Sequence, residues 1–79
     1  MTIRLKYFGV ISEITQIEEE VIHMEAHMDV QKLQNLLMDK YAQLNSVSYK
    51  VAINESIENE NIELKENDLV ALLPPFAGG

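Results

Sequence analysis

The sequence predicts an α+β domain in which one main helix covers one face of a mixed sheet of four or five strands. Polar and apolar residues alternate in the N-terminal segments, and two β-rich, apolar runs follow in the C-terminal half. Between them, a single segment repeats its apolar residues at steps of three and four. One amphipathic helix among several strands must pack on the sheet that those strands form. The 79 residues are expected to form a single domain, 1–79, that ends in an extended tail, 74–79.

The N-terminal part is predicted to form two paired strands. In TIRLKYF, apolar Ile3, Leu5 and Tyr7 alternate with polar residues, which indicates a strand with one buried face. The next stretch, GVISEITQ, has a turn glycine and then apolar residues at helical spacing, so a short helical turn is expected. Alternation returns in EEEVIHMEAHM. This segment is predicted to be the second strand, paired with the first as a hairpin.

The main helix is predicted to begin after Asp29, whose carboxylate can accept the free amide protons of a first helical turn. The apolar residues that follow recur at steps of three and four, while polar residues fall between them. This pattern predicts about three turns of amphipathic helix. The apolar members are Val30, Leu33, Leu36, Leu37 and Tyr41.

The C-terminal part is predicted to supply the remaining strands. YKVAIN is β-rich and stops at Asn54, whose side chain favours a turn, and a short strand is expected from Ser56 to Glu58. After the polar turn KEND, residues Leu69 to Leu73 form a continuous apolar run. Such a run is typical of a strand buried on both faces, so the last strand is predicted to be central in the sheet.

Charge and composition exclude several classes of function. Thirteen acidic and six basic residues give a net charge of −7, which repels phosphate backbones and anionic lipid, so neither nucleic acid nor a membrane is an expected partner. The same charge would favour a protein partner with a basic groove, or would simply promote solubility. The chain has no cysteine for a disulfide, a thiolate nucleophile or a zinc knuckle. No signal peptide or run of about 18 apolar residues occurs, so a cytoplasmic protein is expected.

Three motifs that could carry chemistry are not supported as sites. His23 and His27 in HMEAH would stand about 13 Å apart on a strand and could not share one metal ion, so no metal site is predicted. The acidic clusters EEE and ENENIE lack the ligand spacing of a calcium loop and are predicted to be a solvated face. The serines have neither a glycine elbow nor a neighbouring base. An enzyme acting through its own side chains is therefore the weakest interpretation.

The C-terminal stretch LLPPFAGG gives the most specific signal. Pro74 and Pro75 fix φ and favour an extended chain, which projects the following residues away from the last strand. Ala77, Gly78 and Gly79 then carry minimal side-chain bulk, so the terminal carboxylate could pass down a narrow channel. The alternative is a frayed terminus, which is common for last residues.

These segments resemble the ubiquitin-like β-grasp sulfur carriers. The stretches that carry the resemblance are LKYFGVISEIT near the start, VAINES in the third strand and LKENDLVALLPPFAGG at the end, and together they span essentially the whole chain. Within these carriers, the Pro-Pro pair before the diglycine makes ALLPPFAGG similar to the small subunit of molybdopterin synthase and not to the thiamine-pathway carriers.

The resemblance implies a non-catalytic carrier whose chemistry lies at the carboxyl group of Gly79. An adenylyltransferase related to ubiquitin-activating enzymes would use ATP to form an acyl-adenylate there. A sulfur donor, such as a cysteine desulfurase or a rhodanese-like protein, would convert the adenylate to a thiocarboxylate. The carrier itself would bind no cofactor.

The same resemblance implies where the partner proteins bind. The tail would insert into the large subunit of molybdopterin synthase, in an assembly of two small and two large subunits. The inserted residues would be Pro74, Pro75, Phe76, Ala77 and Gly78. A docking surface is expected at Phe8, Ile57 and Leu73, because a carrier that binds two partners in turn should expose an apolar patch.

Two alternatives to a molybdopterin carrier stay open from the sequence. A related β-grasp carrier could deliver sulfur to the thiazole of thiamine, to tRNA or to another metabolite, or could modify lysines as ubiquitin does. A β-grasp module that only binds other proteins would leave its terminal glycines passive. Deleting Gly79 separates the second alternative from the carriers, because a passive terminus can be removed without loss of function.

Overall fold

The computed structural model describes residues 1–25 and 27–75. Within this part of the chain it contains five strands, two α-helices and one short 3-10 helix. The strands are β1 (Thr2–Tyr7), β2 (Glu19–His23), β3 (Lys50–Ile53), β4 (Ser56–Glu58) and β5 (Leu69–Leu73). The helices are α1 (Val10–Thr15), α2 (Val30–Lys40) and the 3-10 helix Ala42–Ser46.

The strands form one mixed sheet in the order β2-β1-β5-β3-β4. β1 and β5 run parallel, and every other neighbouring pair is antiparallel. Parallel neighbours need a long crossover, which the segment containing α2 supplies. The predicted fold class is confirmed: one main helix covers a mixed sheet, and the last strand occupies its centre.

The core lies between α2 and one face of the sheet. Leu33 and Leu37 of α2 belong to the same buried cluster as Ile3, Leu5 and Leu72 of the central strands. The predicted helix cap is also present, because the Asp29 carboxylate accepts a hydrogen bond from the backbone N–H of Lys32 at 2.8 Å. Leu36, which was placed on the apolar side, is instead exposed at the edge of the helix.

One predicted strand boundary is wrong, and one short helix was not predicted. The second strand ends at His23 and not near Met28, because its partner β1 begins at Thr2 and only Met1 remains to pair with Met24. Ala26, which was included in that strand, lies outside the described residues. The predicted pairing is confirmed, because β1 and β2 run antiparallel with the expected short helix, α1, in the connection between them. The 3-10 helix that follows α2 was not predicted, and its Leu44 is buried in the core.

The last strand is buried on one face only, which corrects the prediction that both faces would be covered. Val70 and Leu72 face α2 and are fully buried, whereas Leu69, Ala71 and Leu73 are half-buried on the opposite face. A single helical layer explains the difference, since α2 packs against one side of the sheet. The apolar run therefore leaves one row of side chains in the middle of an uncovered face.

The cluster EEE is only partly a solvated face, because Glu20 turns toward the helix. Its carboxylate accepts hydrogen bonds from the hydroxyl of Tyr7, from the hydroxyl of Tyr41 at 2.8 Å and from Lys40 Nζ at 2.6 Å. Partial burial works against the ionised form, but the hydrogen bonds from Lys40 and the two tyrosines outweigh it and lower the pKa of Glu20. Burial and the neighbouring Glu20 raise the pKa of Tyr7.

Replacing Glu20 with glutamine should reduce the free energy of unfolding by about 1–3 kcal/mol, because half-buried tyrosine hydroxyls lose a charged acceptor. The lowered pKa gives the pH dependence. The stabilisation by Glu20 is complete above the unfolded-state pKa of about 4.3 and is lost as the pH falls through the lower folded-state value. In urea unfolding, the unmodified chain should therefore have a higher free energy of unfolding than Glu20→Gln at pH 7, and this difference should narrow below about pH 4.

Glu19→Gln is the matched control for this prediction. Glu19 is the neighbouring residue, its side chain is 68% exposed, and its carboxylate lies 3.6 Å from Lys6 Nζ. An exposed pair of this kind contributes little, so we expect a change below about 0.5 kcal/mol. Equal losses for the two variants would contradict the structural role given to Glu20.

Candidate functional site

The face of the sheet opposite α2, called here the open face, carries the candidate site. Paired residues of neighbouring strands project to the same side, so the strand register assigns the side chains of this face. They are Thr2, Arg4 and Lys6 of β1, Glu19, Val21 and His23 of β2, Lys50 and Ala52 of β3, Ile57 of β4, and Leu69, Ala71 and Leu73 of β5.

The predicted docking residues lie on or beside one apolar strip of this face. Ile57 pairs with Ala52, which pairs with Ala71 on β5, and Leu73 is the next residue of β5 on the same side. Ile57 is 50% exposed and Leu73 is half-buried. Two alanines connect Ile57 to Leu73: Ala52 on β3, which is buried, and Ala71 on β5, which is half-buried. Neither alanine was predicted as part of the strip, since small residues give little signal unless the strand register is known.

Phe8 extends the strip at the end from which the tail leaves. It follows β1 directly and is 44% exposed. Because Tyr7 pairs with Leu72 in the parallel β1–β5 pair, Phe8 and Leu73 lie at the same end of adjacent strands. The structure thus places two of the three predicted docking residues at the start of the tail, with Ile57 further along the strip.

The base of the tail packs against the turn that follows β1. Pro74 approaches Gly9 so closely that a Cβ on Gly9 would lie 2.9 Å from Pro74 Cγ. Gly9 also has a φ of +57°, a conformation that favours glycine. This contact fixes where the chain leaves the sheet. Phe76, Ala77, Gly78 and Gly79, the rest of the predicted tail site, lie outside the described residues.

A groove of about 580 Å³ opens beside the tail, between α2 and the β3–β4 side of the sheet. Pro75 stands at its edge, and Gln34, Tyr49 and Asn61 contribute to its polar lining. The groove contains neither Phe8 nor Leu73, so it is separate from the apolar strip. The start of the tail, Pro74 and Pro75, therefore lies between this groove of mixed character and the apolar strip.

The histidine pair and the acidic clusters form no metal centre in the part of the chain that is described. Among residues 1–25 and 27–75, no group of three or more His, Cys, Asp or Glu side chains is arranged to hold a metal ion. His23 Nδ1 instead lies 3.3 Å from Thr2 Oγ1 on the open face. Neither α-helix within these residues has the length and apolar character that crossing a membrane requires.

Comparison with known proteins identifies the family. The family model described as the ThiS family matches residues 5–79. The chain is 23% identical over 83 residues to the molybdopterin synthase sulfur carrier subunit of Caenorhabditis briggsae, covering all of this chain and 99% of that protein.

Two solved structures have a similar fold. A chain of the complex between subunits 1 and 2 of the molybdopterin-converting factor from Helicobacter pylori superposes with a TM-score of 0.73 at 28% identity, with both chains covered in full. The small archaeal modifier protein 1 of H. volcanii superposes with a TM-score of 0.83 at 16% identity, over 95% of this chain and 98% of its own. The mixed sheet under one helix is the ubiquitin-like β-grasp fold implied by the resemblance, and the chain belongs to the ThiS family of sulfur carriers.

Proposed function

We propose that the chain is the small, sulfur-carrying subunit of molybdopterin synthase and that its reactive group is the carboxylate of Gly79. The observation that carries the proposal is the position of the tail. The Pro-Pro-Phe-Ala-Gly-Gly segment follows the central strand without a break, and its first proline is held by Gly9 beside an exposed apolar strip. A partner that binds the strip would lie beside Pro74, the residue with which the tail begins. The similarity to a molybdopterin synthase sulfur carrier subunit over the whole chain supports the same function.

The chemistry begins with activation of a poor electrophile. A terminal carboxylate oxygen attacks the α-phosphorus of ATP in the partner adenylyltransferase, and pyrophosphate leaves. A sulfur nucleophile from the donor then displaces AMP and leaves a thiocarboxylate on Gly79. Where the donor is a persulfide, a thiol supplies the two electrons that release the carried sulfur. Because the chain has no cysteine, no side-chain thiol competes with the thiocarboxylate as a nucleophile.

The large synthase subunit supplies the site where sulfur is transferred. It binds the apolar strip through Phe8, Ile57 and Leu73, and the tail residues Pro74 to Gly78 carry the thiocarboxylate to the pterin precursor. Each carrier delivers one sulfur, so two deliveries complete the dithiolene, in an assembly of two small and two large subunits. The Helicobacter pylori complex of subunits 1 and 2 supports this partner, because one of its chains resembles this chain over its full length.

The intact mass of the chain tests the carrier function. The chain is incubated with ATP, its adenylyltransferase and a sulfur donor, and we expect a mass gain equal to the exchange of one oxygen atom for sulfur. The control omits ATP and should show no gain. If the mass stays unchanged while the same adenylyltransferase activates a known carrier, the chain is not a sulfur carrier.

A second step identifies the acceptor. The thiocarboxylated chain is mixed with the large subunit and the pterin precursor, and loss of the added mass should accompany formation of the dithiolene product. If the chain keeps its sulfur in this mixture, its acceptor is a different molecule, such as the thiazole precursor of thiamine. Sulfur delivery to thiamine stays an alternative, because the match to the ThiS family identifies a sulfur carrier but not the molecule that receives the sulfur.

A further inference from the structure

The open face differs in charge from the rest of the chain. It carries three of the six basic residues, Arg4, Lys6 and Lys50, and a single acidic residue, Glu19. Among the strand residues that the register assigns to this face, cations outnumber anions three to one, and Glu58 and Glu60 line the groove that Lys50 also borders. A chain with a net charge of −7 therefore presents a face on which cations predominate.

Two of these cations are available to a partner. Lys6 has its ion pair with Glu19, but within residues 1–25 and 27–75 the side chains of Arg4 and Lys50 form no ion pair or hydrogen bond. Both residues are exposed. The cost of removing a charged group from water is recovered only when a group of opposite charge meets it, so an apolar partner alone would not suit these positions.

The cations border the apolar strip and the start of the tail. Lys50 pairs across the sheet with Leu73, the last residue before Pro74. Arg4 pairs with Leu69 at the other end of the same strand. The half-buried side chains of β5 are thus flanked on both neighbouring strands by positive charge. An apolar centre within a charged rim is the usual anatomy of a protein interface.

We propose that the large subunit of molybdopterin synthase meets the open face with an apolar surface whose rim carries carboxylates opposite Arg4 and Lys50. The inference rests on the proposed function and adds the chemistry by which the partner recognises the carrier. It reverses the expectation from net charge, which favoured a basic partner groove. The acidic residues on the other faces would repel such a partner in wrong orientations, while the cationic rim directs it to the face from which the tail leaves.

Charge reversal tests the proposal. Arg4→Glu and Lys50→Glu each change the net charge by two, and so does the control Lys32→Glu. Lys32 is exposed on α2, which covers the opposite face, and a glutamate near the start of a helix is well tolerated. Binding to the purified large subunit is measured at low and at high salt, and urea unfolding confirms that every variant is folded.

We expect Arg4→Glu and Lys50→Glu to weaken binding about tenfold each at low salt, mainly through slower association, and Lys32→Glu to change it less than about twofold. The affinity of the unmodified chain should fall as salt rises. Tighter binding of Lys50→Glu would show a basic partner surface, and equal effects of all three variants would show a response to net charge alone. Either result overturns the inference. If the unmodified chain does not bind the large subunit at all, the proposed function fails with it.

Discussion

A chain that lacks Gly79 should acquire no sulfur under conditions in which the full chain is converted completely. The deletion leaves a carboxylate on Gly78, so the chemical group is the same and only its reach changes. One residue of extended chain spans about 3.3–3.6 Å. A misplacement of about 1 Å in a reacting group can cost a factor of about 100 in rate, so the shortened chain should react at least that much more slowly. Intact mass after incubation with ATP, adenylyltransferase and sulfur donor gives the measurement.

The deletion is informative because it should leave the fold unchanged. The buried core of the described residues ends at Leu72, while Pro74, which packs against Gly9, is half-buried and Pro75 is exposed. Thermal unfolding of the deleted chain should match that of the full chain. Gly79→Ala is the companion variant, because it keeps the length and adds only a Cβ. Normal sulfur loading of the deleted chain would show that the terminus is not the reactive group, and the chain would then act as a binding module.

Patterns among neighbouring residues in the sequence were enough to predict the strands and the helix that bury one face. The alternation around Ile3 and Leu5, and the three- and four-residue steps from Val30 to Leu37, identify their elements because one face of each is buried. Asp29 as a helix cap is equally local, since its carboxylate reaches an amide three residues away. The sheet order could not be read in this way and came only with the family resemblance.

The features that were missed depend on which strands become neighbours. Glu20 sits in a run of three glutamates, and its inward position arises because Tyr7 and Tyr41 approach it from β1 and from the end of α2. The continuity of the apolar strip rests on the pairing of Ala52 with Ala71 between β3 and β5. The same distinction explains the error about the last strand. A continuous apolar run is typical of a strand buried on both faces, but only one face of β5 is covered within this chain.

Truncation of Leu72 should cost much more stability than truncation of Leu73, although the two residues are adjacent and chemically identical. Leu72 is 0% exposed and packs in the core, so Leu72→Ala should lower the free energy of unfolding by about 2–5 kcal/mol. In a chain of this size that corresponds to a loss of more than about 10 °C in Tm. Leu73 is half-buried on the open face, and Leu73→Ala should cost only about 1 kcal/mol. Urea and thermal unfolding of the two variants measure the difference.

Binding should show the reverse order. Leu73 lies in the apolar strip beside the start of the tail. We expect it to act as a desolvated anchor of the interface, whose truncation would cost about 1.4 kcal/mol or more, which is tenfold in affinity. Leu73→Ala, and equally Phe8→Ala, should therefore weaken binding to both the large subunit and the adenylyltransferase at temperatures where both variants are folded. Leu73→Ala that is folded and binds both partners normally would remove the strip from the docking surface. If Leu73→Ala is instead as unstable as Leu72→Ala, the open face is covered within the isolated protein. A partner would then have to displace the covering segment before it could bind the face and receive the tail.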